Sequence, residues 1–374
     1  MATLTQNFEQ VIGMLMPDLM RIAADVDGDP ILKAFPFGYV DSDKVLYDQW
    51  ENNYGLTPLR GLGGKPDVIT FNGWKRYTAD PAYFGQTTLL EEGEITKGVQ
   101  PGSIGDRINV GDRLGVFMQD TSTMILNRCR KSAADLMATG KIDITDTDGR
   151  RFQYQLENYS NQLKTPAGGA QWFTNATTAT PIQDTLNWKA QLQKGTDSRF
   201  GFGSKWLMNS NTLAEFFGIA QIIATYRLDY GASVLGLAKY NEQVAGDTAK
   251  QGFSLPQIEV YDMGYYPTPT DAINKTNWSY FIPNRTILWI GTRPQGQRIA
   301  QWQLTRHAGL AEEGGAKSYP DVTVSGEDKA DIGKGLYVRC HYQNRQPHQY
   351  ELEAGLNGLP VAFYPSAFAA VSYT

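Results

Sequence analysis

The chain has 374 residues, 41% hydrophobic and 20% charged, with 38 glycines and 18 prolines spread along it. Such a composition excludes general disorder and belongs to a turn-rich globular protein long enough to bury more than one core. The formal charge of -5 comes from 39 acidic and 34 basic residues with no long basic run, which disfavours sequence-specific binding through a phosphate-neutralising stripe but leaves room for a protein that merely encloses nucleic acid.

The segment Met1 to Met20 has no basic stretch followed by an apolar run, and no window approaches 18 apolar residues, so neither a signal peptide nor a membrane span is expected. Folding in a reducing cytoplasm follows, with Cys129 and Cys340 too far apart to imply a disulfide framework. Residues 4 to 24 place Leu4, Phe8, Val11, Ile12, Leu15, Leu19 and Ile22 at helical spacing around Pro17, which predicts a kinked amphipathic arm, packed on its own domain or against neighbours.

From Asp25 to Arg107 the pattern turns extended, punctuated by Gly61-Leu62-Gly63-Gly64-Lys65-Pro66, Asp80-Pro81 and Gln100-Pro101-Gly102. Strand pairs and long loops are expected there. The glycine cluster at 61 to 64 fails as a phosphate loop, because Pro66 follows the lysine and no helical pattern opens to supply backbone donors.

Gly111 to Thr139 carries Leu114, Phe117, Thr121, Met124, Ile125, Cys129, Ala133, Leu136 and Met137 every three or four residues, and Gly140 stands where a left-handed cap ends a helix. A helix of this length is roughly 40 Å long and needs a partner along most of its face. Ile142, Ile144, Phe152, Tyr154 and Leu156 then alternate with polar residues around Asp148-Gly149, a hairpin signature. The string Asp146-Thr147-Asp148-Gly149 is not a calcium loop, since Ile144 and Gln155 would stand at its first and twelfth positions.

Asn158 to Thr180 reads as a loop or linker. Beyond it, helices are predicted at 182 to 193 and 211 to 226, with Asn209 or Ser210 as cap, and a buried strand at Trp206 to Met208. Short strands follow a glycine-rich passage, at Gln257 to Tyr261, Tyr280 to Pro283 and Ile287 to Ile290. Two more, Leu336 to Tyr342 and Leu359 to Tyr364, are separated by a polar link containing Pro347 and Gly355; they are expected to complete a sheet beside the long helix. Mixed elements without regular alternation indicate an α+β fold.

Chemistry is hard to find. His307, His341 and His348 belong to no metal or triad pattern, and Cys340 and His341 point to opposite faces of a strand, leaving His348 without a ligand set. Glu91-Glu92 and Glu312-Glu313 sit beside glycines as solvated loop charge, and the aromatic residues, 12% of the chain, lie mostly in apolar runs such as those of Trp206, Trp289, Phe363 and Tyr364. No catalytic, cofactor-binding or metal-binding residue and no cofactor is expected, and the chain is expected not to be an enzyme.

Three stretches carry a resemblance. Arg107 through Ile142, with the exit Ser132-Ala133-Ala134-Asp135-Leu136-Met137-Ala138-Thr139-Gly140-Lys141, is similar to the spine helix of the lambda-type tailed-phage major capsid protein E family. Val260-Tyr261-Asp262, then Tyr280-Phe281-Ile282-Pro283-Asn284 and the strand Ile287 to Ile290, resemble that family's next conserved passage, with Asn284 where an aspartate is usual. Pro347, Glu351, Leu359-Pro360-Val361 and Pro365 resemble its closing segment, so that the ordered match spans about 105 to 374.

This resemblance implies the Hong Kong 97-type capsid fold, an α+β fold with an N-terminal arm at 1–52 and an extended loop at 53–106. It places the first part of a peripheral domain, with spine helix and hairpin, at 107–157, an axial domain at 158–330, and the returning peripheral strands at 331–374. The implied function is a major capsid protein that forms hexamers and pentamers of an icosahedral shell around double-stranded phage DNA. The shell protein of a cellular encapsulating compartment, or a carbohydrate-binding or carbohydrate-active protein, stand as alternatives. Implied partners are other copies of the chain, a portal, a scaffold or assembly protease, a cementing protein, and DNA held without sequence specificity, with no membrane. The implied location is the virion capsid, assembled in the host cytoplasm. A two-stranded loop is unstable alone in water, so residues 53 to 105 are expected to rest on a neighbouring subunit, with Lys65, Lys75 and Lys97 as solvated loop lysines in the region where such shells form covalent links.

Overall fold

The structure is a computed structural model, and it describes residues 28–40, 42–50, 74–91, 110–145, 149–166, 171–194, 196–201, 203–226, 234–246, 255–293, 298–305, 336–343 and 349–372. The predicted arm helix within 4 to 24, the glycine cluster at 61 to 64, the Asp146 to Asp148 string and the acidic pair at 312 and 313 lie outside these residues. The chain divides into two compact units. One comprises 1–46, 78–133 and 300–361, the other 47–77, 134–299 and 362–374.

In the first unit a short helix, α1 (Pro30–Ala34), leads into β1 (Phe37–Val40). Its N-cap is Asp29, whose carboxylate accepts from the N–H groups of Ile31 and Leu32 at 2.9 and 3.1 Å, satisfying donors that a helix start leaves open. After β2 (Val45–Trp50) and β3 (Trp74–Ala79), which pair with each other and belong mostly to the second unit, the chain forms β4 (Ala82–Leu90) and the long helix α2 (Val110–Thr139), most of which belongs to the first unit. The unit's sheet runs β1, β13 (Ala300–Thr305), β15 (Gln349–Ala362), β14 (Leu336–Gln343), with β4 also on β15.

β15 is thus the centre of the sheet, flanked by β14 from Leu336↔Leu356 to Gln343↔Gln349 and by β4 from Tyr350↔Leu90 to Gly358↔Ala82. From Gln349 onward the expected polar link before Leu359 is therefore strand. The sequence disguises it with glycines, and Gly358 is required by close approach, because a Cβ there would lie 2.6 Å from the Gln303 carbonyl oxygen. From Ala354 to Ala362 every residue is buried, so the alternation that marks a one-sided strand is lost. The core gathers Ile31, Leu32, Phe35, Phe37, Ile125, Leu126, Cys129, Trp302 and Leu356, with Trp302 stacked on Phe37 at 6.0 Å and edge-on to Phe84.

Within 53–106, the described strands β3 and β4 pair with β2 and β15 of the same chain. Ladder hydrogen bonds, a stack of Tyr47 on Tyr77 at 5.3 Å and the Arg76 to Asp48 ion pair at 2.9 Å satisfy these strands within the chain.

In the second unit the hairpin β5 (Lys141–Thr145) and β6 (Arg151–Gln155) follows α2, with Gly149 at φ +78 in its turn. The five-stranded sheet is ordered β7 (Leu163–Lys164), β16 (Phe368–Ser372), β12 (Thr286–Ile290), β8 (Lys205–Met208), β9 (Gln257–Val260). Helices α3 (Pro181–Gln193), α4 (Ser210–Phe217), α5 (Ala220–Tyr226) and α6 (Val234–Gly246) belong to the same unit. The core is aromatic: Trp172, Trp206, Trp289, Phe200, Phe216, Phe217 and Tyr240 are fully buried, with Trp206 edge-on to Trp289 at 5.7 Å and to Phe216 at 5.6 Å.

Three readings change in this unit. The predicted helix at 211 to 226 is two helices, because the Ala220 N–H donates to the Ala176 carbonyl at 3.0 Å instead of continuing the helical ladder. The stretch 158 to 180 is not a mere linker, since Trp172 enters the core, stacks on Trp188 at 5.4 Å and donates to Asp184 at 2.9 Å. The glycine-rich passage after Tyr226 contains α6, whose Tyr240 and Val244 are buried.

Candidate functional site

Among the described residues no group of three or more His, Cys, Asp and Glu could hold a metal ion. His341 stands on β14 opposite Glu351, and Cys340 opposite Leu352; His307 and His348 lie outside the described residues. Burial raises the Cys129 thiol to about 12, which keeps it a protonated core side chain. Tyr154 donates to the Tyr47 hydroxyl at 2.8 Å and Tyr77 donates to Glu157 at 2.8 Å. Burial is the main cause that raises both Tyr47 and Tyr154, so this cluster also stays protonated.

The first unit holds an ion pair withdrawn from water. The Arg130 guanidinium on α2 reaches the Asp29 carboxylate at 2.7 Å, with side chains 5% and 2% exposed, and its other arm donates to Asn127 at 2.9 Å. One carboxylate thereby caps α1 and binds the long helix.

Among the described residues, β4 and a small lobe expose large apolar side chains. On β4, Phe84 turns inward to Trp302 and Thr88 approaches Thr121 at 3.4 Å, while Tyr83 and Leu89 on the opposite face are 67% and 47% exposed. In the second unit a small lobe is built from β10 (Gly264–Tyr265), α7 (Pro269–Asn274) and β11 (Ser279–Tyr280). It exposes Ile273 at 81% and Trp278 at 50%. Asp271 holds the lobe's shape: its carboxylate accepts from Thr268, Thr276 and Asn277 at 2.5, 3.0 and 2.7 Å. These bonds, that of Thr268 first, hold its pKa below the ordinary carboxylate value. Lys275 and Asn277 turn the chain at φ +54 and +56. An apolar surface on so fixed a frame is ready to bind with little ordering cost.

The residues weighed from sequence fall in different places. Trp206 and Trp289 are buried in the aromatic core, where neither can stack on a sugar ring. Tyr364 has its ring face taken by the Arg293 guanidinium, 3.4 Å from the centroid. Lys75 is exposed on β3 and Glu91 is exposed after β4, whereas Lys65, Lys97 and Glu92 lie outside the described residues. Asn284 accepts from Asn209 at 2.9 Å, and Asn209 caps α4 by accepting from the Thr212 N–H at 2.8 Å. Sequence reading passed over Trp278. Its signal was present, an aromatic standing alone in the polar run Asn274-Lys275-Thr276-Asn277-Trp278-Ser279.

No protein-family model and no curated protein matches the sequence. Among solved structures, a prophage protein described as a candidate capsid protein, from Escherichia coli CFT073, is 14% identical over 80% of each chain with a TM-score of 0.52. A phage-related protein from Bordetella bronchiseptica RB50 is 9% identical over 94% of this chain and 95% of its own, with a TM-score of 0.51. The chain has the α+β, Hong Kong 97-type fold of tailed-phage capsid proteins.

Proposed function

We propose that this chain is a major capsid protein, a non-enzymatic subunit that assembles into hexamers and pentamers of an icosahedral shell around double-stranded phage DNA. The observation that carries this reading is the fold shared, over 80% of both chains, with the prophage protein described as a candidate capsid protein. The exposed Tyr83 and Leu89 on β4 and Ile273 and Trp278 on the lobe suit a protein whose work is binding copies of itself. Closed symmetry then lets many modest contacts add up.

In this reading 1–52 is the arm, 53–106 the extended loop, 107–157 and 331–374 the peripheral domain, and 158–330 the axial domain. A portal, a scaffold or assembly protease, and a cementing protein are its further partners. The DNA is held by enclosure, in keeping with the net charge of -5. Assembly takes place in the host cytoplasm and the product is the virion shell. Among the described residues no helix is long and apolar enough to cross a membrane.

A cellular compartment shell would use the same fold, and gene order separates the two. Portal, large terminase and protease genes beside this one are expected; neighbours that encode only a cargo enzyme would contradict the phage reading. Native mass spectrometry of the purified chain should show five- and six-membered assemblies.

A further inference from the structure

Among the described residues of the second unit, β9 is the last strand of the sheet order, paired on one side with β8 in parallel from Lys205↔Gln257 to Met208↔Val260. A terminal strand offers the N–H and C=O groups of alternate residues to any chain that can lie beside it. Here the outward groups of Ile258 are taken. Asn241 of α6 donates through Nδ2 to the Ile258 carbonyl at 2.9 Å and accepts at Oδ1 from the Ile258 N–H at 2.9 Å. Its amide thus makes both bonds that a neighbouring strand would make at that residue.

Two residues earlier, on the same side, Tyr240 donates to the Pro256 carbonyl at 3.1 Å. Proline has no N–H, so nothing is left at 256 for a strand to accept. Tyr240 is fully buried, 4.7 Å from Tyr226 and 5.7 Å from Phe217, which anchors α6 along this edge.

We propose that Asn241 is an edge cap, an intrachain stand-in for a strand that keeps β9 from pairing with a strand of a second copy. Its purpose rests on the shell reading: subunits held at very high local concentration must meet only through surfaces built for that contact. The cap itself can be measured apart from shell formation.

The test uses the full chain and two substitutions, Asn241→Leu, which keeps the volume, and Asn241→Ser, which is too short to reach. In wild type the Ile258 amide should be protected from hydrogen exchange although its strand ends the sheet. Each variant that retains the near-ultraviolet signal of the tryptophan core should exchange Ile258 about tenfold faster. Each should also form irregular, β-rich polymers at concentrations where wild type does not. Unprotected Ile258 in wild type, unchanged exchange in a folded variant, or variants that polymerise no more than wild type would each overturn the cap. Failure of the shell reading looks different: wild type forms no shells, while the exchange and polymer differences persist.

Discussion

Asp29 and Arg130 stand 101 positions apart in sequence and 2.7 Å apart in the fold. Removing one partner of such a pair leaves the other charge buried without compensation. Arg130→Met should therefore cost about 3–5 kcal/mol in chemical denaturation, whereas a joint Asp29→Asn and Arg130→Met change should cost clearly less than that. Equal losses in the single and double variants would refute the coupling. The exposed pair Asp143 and Arg151 on the hairpin differs. Bonds from Arg151 and then Gln153 lower the Asp143 pKa from 3.8 to about 2. A depressed carboxylate contributes stability at pH above its unfolded value and loses it as pH falls through the folded one. The Asp143 carboxyl signal should therefore titrate near pH 2, and Arg151→Ala should return it towards 3.8.

At the scale of elements, α2 stops where the sequence says it should. Gly140 has φ +71, and a Cβ there would lie 2.3 Å from the Tyr159 ring, whose hydroxyl donates to the Met137 carbonyl at 2.5 Å. Gly140→Ala should destabilise the chain by more than about 1 kcal/mol, from left-handed strain and the clash together. A melting curve equal to wild type would contradict this. The lobe should behave in the opposite way. Ile273→Asp changes a side chain that is 81% exposed, so melting should shift by no more than a few tenths of a kcal/mol while assembly weakens. Unaltered assembly would exclude the lobe as a contact. Elements with regular spacing and clear caps, such as α2 ending at Gly140 and α4 capped by Asn209, were legible from sequence. β15 was hidden by Gly355 and Gly358 and by burial on both faces, and α6 by the glycines around Val234. In each case tertiary contacts, which local patterns do not encode, decided the conformation.

For the whole molecule, the fold class and the order of helix, hairpin, mixed region and closing strands could be read in advance, because each rests on local periodicity. Strand partners beyond the hairpin of β5 and β6 could not. That β16 joins β12 from Thr286↔Ser372 to Ile290↔Phe368, while β15 serves the other unit's sheet, depends on pairings across much of the chain. The candidate surfaces were hidden for a related reason: Tyr83 and Ile273 are apolar residues like any other until the fold leaves them in water. A shell subunit should show what those surfaces are for. Electron microscopy of the chain, concentrated and co-expressed with its neighbouring assembly genes, tests this most directly: closed icosahedral particles built from hexamers and pentamers are expected, and persistent monomers under those conditions would contradict the proposal.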